Sequence, residues 1–165
     1  MKILRYFAFA VVLALGATAA RSAAPDIYPA PSQARADIAS ALHSAVATHK
    51  RVILDFGGNW CPDCLVLDRY FHDARNQPIV KANYIIVHVN IGHMDANVDL
   101  ANRYGIPLKK GVPALAVLSS AGKVLYSQKG GEFEDMRNLE SSALTQFLIH
   151  WKPTKPGCSV VNPNC

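Results

Sequence analysis

A chain of 165 residues, half of them apolar and 18% charged, has room for one domain with a real core and not for two. The formal charge of +5 includes Lys2, Arg5 and Arg21, in an opening segment that holds no acid. Without them the balance is +2, too weak to argue for nucleic acid or an acidic membrane as a partner.

The opening segment has the layout of a secretory signal. Lys2 and Arg5 give a basic start, residues 7–15 an apolar stretch, and residues 17–24 a run of small side chains. Cleavage after Ala24 leaves Ser22-Ala23-Ala24 in the small-x-small position; Ala19 and Ala20 are alternative sites. An uncleaved anchor is the competing reading, but the apolar run is shorter than the roughly 20 residues that span a bilayer. No cysteine stands at these sites, so lipid anchoring is not indicated. The expectation is an exported protein, periplasmic in a Gram-negative source and secreted otherwise. Outside the cytosol thiols tend to be oxidised. The four cysteines fall into two local pairs, Cys61/Cys64 and Cys158/Cys165.

Residues 25–33, with three prolines, read as an irregular lead-in. Ser32 is placed to cap a helix over 34–49 that turns Ile38, Leu42, Ala45 and Val46 to one side. Residues 52–56 read as a buried strand and Gly57-Gly58 as a turn. A helix opening at the first cysteine pair carries Leu67, Tyr70, Phe71 and Ala74 as its inward stripe, and Asn76-Gln77-Pro78 is its expected stop. Residues 84–89 form an apolar run expected of a strand covered on both faces. A short helix over 96–104 follows, with Val98, Ala101 and Tyr104 on one face and Gly105 ending it. Residues 114–118 and 123–127, joined by Ser119-Ser120-Ala121-Gly122, read as a hairpin. The longest amphipathic stretch, 135–151, predicts one continuous helix ended by Pro153 and Pro156.

The order α, β, α, β, α, β-β, α predicts a mixed central sheet flanked by helices on both faces. A crossover helix brings parallel pairing, and a hairpin adds antiparallel strands. The domain is expected over 34–152, with a proline-rich tail over 153–165. There Cys158 and Cys165 most simply form a structural disulfide; an electron relay to the first pair is the alternative.

The chemistry concentrates at Trp60-Cys61-Pro62-Asp63-Cys64. At a helix N-terminus, unpaired N–H groups and the helix dipole favour thiolate over thiol. Thiolate is what disulfide exchange consumes. Cys61, at the exposed helix tip, is therefore the expected nucleophile, and Cys64, one turn further in, the resolving cysteine. A static disulfide or half of a zinc site is the bland alternative; a zinc site recruiting Cys158 and Cys165 has unusual spacing. Asp55 stands mid-strand in an apolar run, where a carboxylate is costly without a role or a partner; a surface acid on an edge strand is the alternative. Asp63 suits the first turn of a helix but opposes a neighbouring thiolate. His88 interrupts a strand and reads as a satisfied core histidine. His93-Met94 beside the cysteine pair is a weak copper pattern.

Strand, glycine turn and Cys-bearing helix together resemble the active site of the thioredoxin superfamily, and the resemblance extends over most of the chain. It implies the thioredoxin fold and thiol–disulfide exchange with protein substrates, with no organic cofactor or metal. By resemblance Asp55, six residues before Cys61, is the buried proton acceptor for Cys64, and Trp60 forms part of the substrate-facing surface. The Val112–Pro113 bond is then the cis bond facing the cysteines, with Val112 backbone open to an extended substrate; Pro107 is the rival position. Two departures stand out: Pro62-Asp63 replaces the Gly-Pro of ordinary thioredoxin, and the loop over 107–111 with Lys109 and Lys110 is longer. The expected activity is a monomeric reductase of protein disulfides, recharged by a membrane electron donor. A copper or zinc carrier and a redox-inert binding module are the rivals.

Overall fold

The computed structural model describes residues 26–154. The expected signal segment and the Cys158/Cys165 pair lie outside the described residues. Nine regular elements follow the lead-in: α1 (Ala34–Thr48), β1 (Arg51–Gly57), α2 (Pro62–Phe71), α3 (Gln77–Asn83), β2 (Tyr84–Asn90), α4 (Val98–Arg103), β3 (Ala114–Leu118), β4 (Val124–Ser127) and α5 (Ser141–Trp151). None of the described helices is long and apolar enough to cross a membrane.

The strands form one mixed sheet in the order β2-β1-β3-β4. β1 and β2 run parallel, as a connection through helices permits, whereas β1/β3 and β3/β4 are antiparallel. Alternation along β1 divides the core in two. Val52, Leu54 and Phe56 join the α1/α4 side with Ile38, Ala45 and Leu100. Ile53 joins the α2/α5 side with Leu67, Phe71, Leu144 and Leu148. Asp55 shares the parity of Ile53 and so points toward the α2 layer. Parallel register sets it beside His88 of β2, and antiparallel register sets it beside Leu115 of β3.

Several boundaries depart from the expectations. A 3-10 turn at Pro31–Gln33 precedes α1, its N-cap is Gln33 and not Ser32, and His49 in left-handed conformation ends it at Thr48. Val46 and Val98 are exposed, while Leu100, Ala101 and Tyr104 carry the burial at α4. Asn76-Gln77-Pro78 does not close a helix but opens α3. Proline in a first turn lacks only an N–H that has no helical partner, and its φ already suits the helix. α2 has already ended at Phe71, so Ala74 lies beyond its stripe and is exposed. The long final helix is broken into a 3-10 turn, Met136–Asn138, and α5, with Leu139 extended between them. Tyr70 Oη donates to Leu139 O at 3.0 Å, and Asp63 takes the Arg137 N–H at 2.9 Å. The break is therefore tied to α2 from two sides. β2 is covered on both faces as expected, with Val87 and Val89 in the α1 side of the core and Tyr84 in the α2/α5 side, although it is an edge strand with His88 partly exposed.

Candidate active site

Cys61 is the N-cap of α2, and Pro62 occupies the first turn. The Cys64 N–H points at Cys61 Sγ from 3.2 Å, the contact by which a helix start would favour a thiolate there. Cys61 and Cys64 are joined as a disulfide, with Cα atoms 5.2 Å apart. The expected exposed tip is in fact covered. Cys61 is 3% exposed and Cys64 0%, because Tyr28, Ile27 and Val112 pack over them. The sliver of open surface belongs to Cys61.

The lead-in is held down by asparagines. Asn59 Oδ1 accepts from Ile27 N–H and Tyr28 N–H at 2.9 and 3.0 Å, and Asn59 Nδ2 donates to Tyr28 O at 2.9 Å. Asn90 and Asn97 donate to Pro29 O and Pro31 O. Residues 27–31 thus form a strap over the end of β1, and Tyr28 is 1% exposed beneath it. The approach at Gly57 is close: a Cβ built there would lie 2.6 Å from Tyr28 Oη and 2.7 Å from Cys64 Sγ. Only glycine leaves both groups this space.

Asp55 is fully buried, and its neighbours are polar. Tyr28 Oη donates to Asp55 Oδ2 at 2.6 Å, and His88 Nδ1 lies 3.0 Å from the same oxygen. His88 Nε2 faces Asp68 Oδ1 at 3.5 Å. Oδ1 of Asp55 has no partner among the described residues. Burial alone would lower the His88 pKa, but the hydrogen bond and charge of Asp55, with the charge of Asp68, raise it above the ordinary value. Burial and the Asp55 carboxylate push the Tyr28 phenol well up, so it stays a donor.

The second acid in the site has a different setting. Asp63 is 8% exposed and accepts from Arg137 Nε at 3.1 Å through both oxygens, besides the Arg137 backbone N–H. Burial pushes its carboxyl up, but the Arg137 bonds and charge outweigh that and hold it below the usual range. Arg137 thus sets a counter-charge against the Asp63 carboxylate beside the cysteine pair.

Opposite the cysteines, the Val112–Pro113 peptide bond is cis. Val112 O lies 3.6 Å from Cys61 Sγ. Among the described residues, the Val112 backbone takes part in no backbone–backbone hydrogen bond. Buried Gln128 braces this turn by donating to Pro113 O and accepting from Leu115 N–H, both at 3.2 Å. Trp60 is 43% exposed, donates its indole N–H to Gly92 O, and stacks on His93 at 5.5 Å between ring centres. His93 is thus an aromatic neighbour of Trp60. Among the described residues no group of three His, Cys, Asp or Glu side chains converges as a metal site.

The structure therefore brings together Asp55, Trp60, Cys61, Cys64, Val112 and Pro113. Sequence reasoning missed Tyr28, Asn59, Gln128 and Arg137, and read His88 as core. For His88 a signal existed, since pairing the two apolar strands in parallel sets it beside Asp55.

Comparison with known proteins gives the family and the fold. The thioredoxin-like family profile matches residues 33–120. A solved structure described as a disulphide isomerase from Xylella fastidiosa Temecula1 is 33% identical, with a TM-score of 0.72; the match covers 76% of this chain and 96% of that one. The C-terminal domain of DsbD from Neisseria meningitidis, in its reduced form, shares the fold at 19% identity and a TM-score of 0.50, over 69% of this chain and 93% of its own. No curated protein sequence matches. The chain belongs to the thioredoxin-like family and carries a Cys-x-x-Cys pair, Cys61 and Cys64, at the start of its second helix.

Proposed function

We propose that this protein is an exported thiol–disulfide oxidoreductase that reduces disulfides of protein substrates through Cys61 and Cys64. The observation that carries the reading is the cysteine pair at the N-terminus of α2 with an unpartnered oxygen of buried Asp55 in the same site. In the dithiol form, Cys61 thiolate attacks one sulfur of a substrate disulfide. A Cys61–substrate bond forms, the substrate S–S bond breaks, and the departing sulfur takes a proton from solvent. Cys64 then gives its proton to Asp55 and attacks Cys61 Sγ, which forms the internal disulfide and expels the second substrate thiolate. Two electrons have passed to the substrate.

Val112, whose backbone makes no backbone–backbone hydrogen bond among the described residues, is the docking edge for an extended substrate segment, and Trp60 is the aromatic surface beside it. The relative described as a disulphide isomerase supports exchange chemistry on protein disulfides. The basic and apolar opening segment supports export, and an exported reductase needs its electrons returned by a dithiol donor at the membrane. Reduction of insulin by the reduced protein tests the reading. Cys61→Ser is expected to abolish it, and Cys64→Ser to stall after a single covalent event. Full turnover in both variants contradicts the mechanism.

A further inference from the structure

Asp55 is held asymmetrically, and the asymmetry has a chemical use. Both hydrogen-bonding neighbours meet one oxygen: Tyr28 Oη is 2.6 Å from Oδ2, and His88 Nδ1 is 3.0 Å from it. Oδ1 is equally buried and has no partner among the described residues. A carboxylate oxygen that already accepts two bonds is a poor proton acceptor; the oxygen left bare is the better one. The two neighbours come from different parts of the chain. Tyr28 arrives on the strap that Asn59 ties down, its hydroxyl converging with Cys64 Sγ on the space at Gly57. His88 is the register partner of Asp55 on edge strand β2 and reaches Asp68 with its other nitrogen.

We propose that Tyr28 and His88 are positioning residues for the resolving step: they hold Oδ2 of Asp55 and leave Oδ1 to receive the Cys64 proton. This rests on the oxidoreductase reading above. The step balances within the site. The Cys64 S–H bond breaks, an O–H bond forms on Asp55, and the new thiolate attacks Cys61. The strap is then part of the catalytic apparatus, and Asn59, next to Trp60 in sequence, is its latch.

The charged and titratable groups around this centre come from every layer packed on it. The lead-in contributes Tyr28, α2 contributes the cysteines with Asp68, and β2 contributes His88 itself. β3 offers only Leu115. His88 also lines a cleft with Asp37 of α1, and another with His72, the residue that caps the C-terminus of α2, and Lys81 of α3. The donors nearest the carboxylate are thus Tyr28 and His88, and the nearest further acid is Asp68, on the far side of the imidazole. Removing either donor takes away one of the two bonds that hold Oδ2, so the resolving step should slow.

The test uses the reduced full chain with Cys158→Ser and Cys165→Ser, which leaves Cys61 and Cys64 as its two thiols, and the chromogenic disulfide of thionitrobenzoate. One aryl thiolate is released when Cys61 attacks and a second when Cys64 resolves, so one stopped-flow trace reports both steps. In Tyr28→Phe and in His88→Gln the first release is expected to keep its rate and pH profile. The second is expected to slow several-fold, because the carboxylate loses one of the two bonds that hold it. The double variant is expected to slow it further, and His88→Lys to return it toward wild type because a charged donor again faces Oδ2. An unchanged first release in the same trace shows that the surroundings of Cys61 are intact. An unchanged second release, a parallel slowing of both releases, or a lysine that behaves like glutamine overturns the assignment. Release of both thiolates by Cys61→Ser would instead sink the oxidoreductase reading, and this assignment with it.

Discussion

Two acids flank the same cysteine pair and are treated in opposite ways. Asp63, in the first turn of α2, has both oxygens bonded to Arg137. Asp55, in the middle of β1, has one oxygen bonded twice and the other left bare. The first carboxylate is matched by a guanidinium and serves as a bracket between α2 and the 136–138 turn. The second keeps a free basic oxygen in a dry setting, at the cost of burying an ionisable group. On the function proposed above, the acid with an unbonded oxygen is the one that serves as base, and the acid with both oxygens bonded is the bracket.

Asp55→Asn should break this comparison most strongly. Amide replacement keeps an acceptor for Tyr28 and His88 but removes the base. Resolution of a Cys61 mixed disulfide should slow by about 10², the lower end for a lost general base, while Cys61 attack changes little. Rapid-quench measurement of the mixed-disulfide lifetime checks it.

Gly57→Ala comes next. The new methyl would overlap Tyr28 Oη and Cys64 Sγ, and overpacking of this kind costs about 1–3 kcal/mol. Urea unfolding gives the loss of stability, and resolution should slow alongside it because the strap is displaced.

On the other side of the pair, Asp63→Ala should cost stability with little loss of rate. The Arg137 side chain is largely exposed, so solvent weakens the ion pair, and a loss of about 1 kcal/mol is expected. Because Asp63 is held below its ordinary pKa, that contribution is present above the unfolded value near ~3.9 and fades as pH falls through the folded one. The Tm difference between Asp63→Ala and wild type should therefore narrow on acidification.

The smallest effect has the opposite sign in pH. His88 is raised above its ordinary value, so its contribution is full below the unfolded pKa near ~6.5 and lost as pH rises through the folded one. The Tm gap between wild type and His88→Gln should close toward alkaline pH.

The strands, the cysteine pair and Asp55 were legible because each is written locally. An apolar run of β-branched residues, two glycines and a helical spacing of cysteines lie within thirteen residues, 52–64. Tyr28 and Arg137 were not, since they act across 27 and 74 positions in sequence. Prolines made the lead-in look irregular, which it is, yet three asparagines turn it into a strap. α3 was missed because a proline that stops one helix can equally begin another. The break at Leu139 was missed because the amphipathic pattern continues through it; tertiary bonds to α2 decide the matter.

The most direct test of the account is the site of the trapped adduct. The reduced Cys64→Ser chain is mixed with a disulfide-bonded peptide, quenched in acid and mapped by mass spectrometry. The account predicts a stable mixed disulfide on Cys61, formed at close to the wild-type rate and not resolved. An adduct on another residue, or its absence with substrate reduction intact, would contradict the assignment of Cys61 as nucleophile and Cys64 as the group that Asp55 deprotonates.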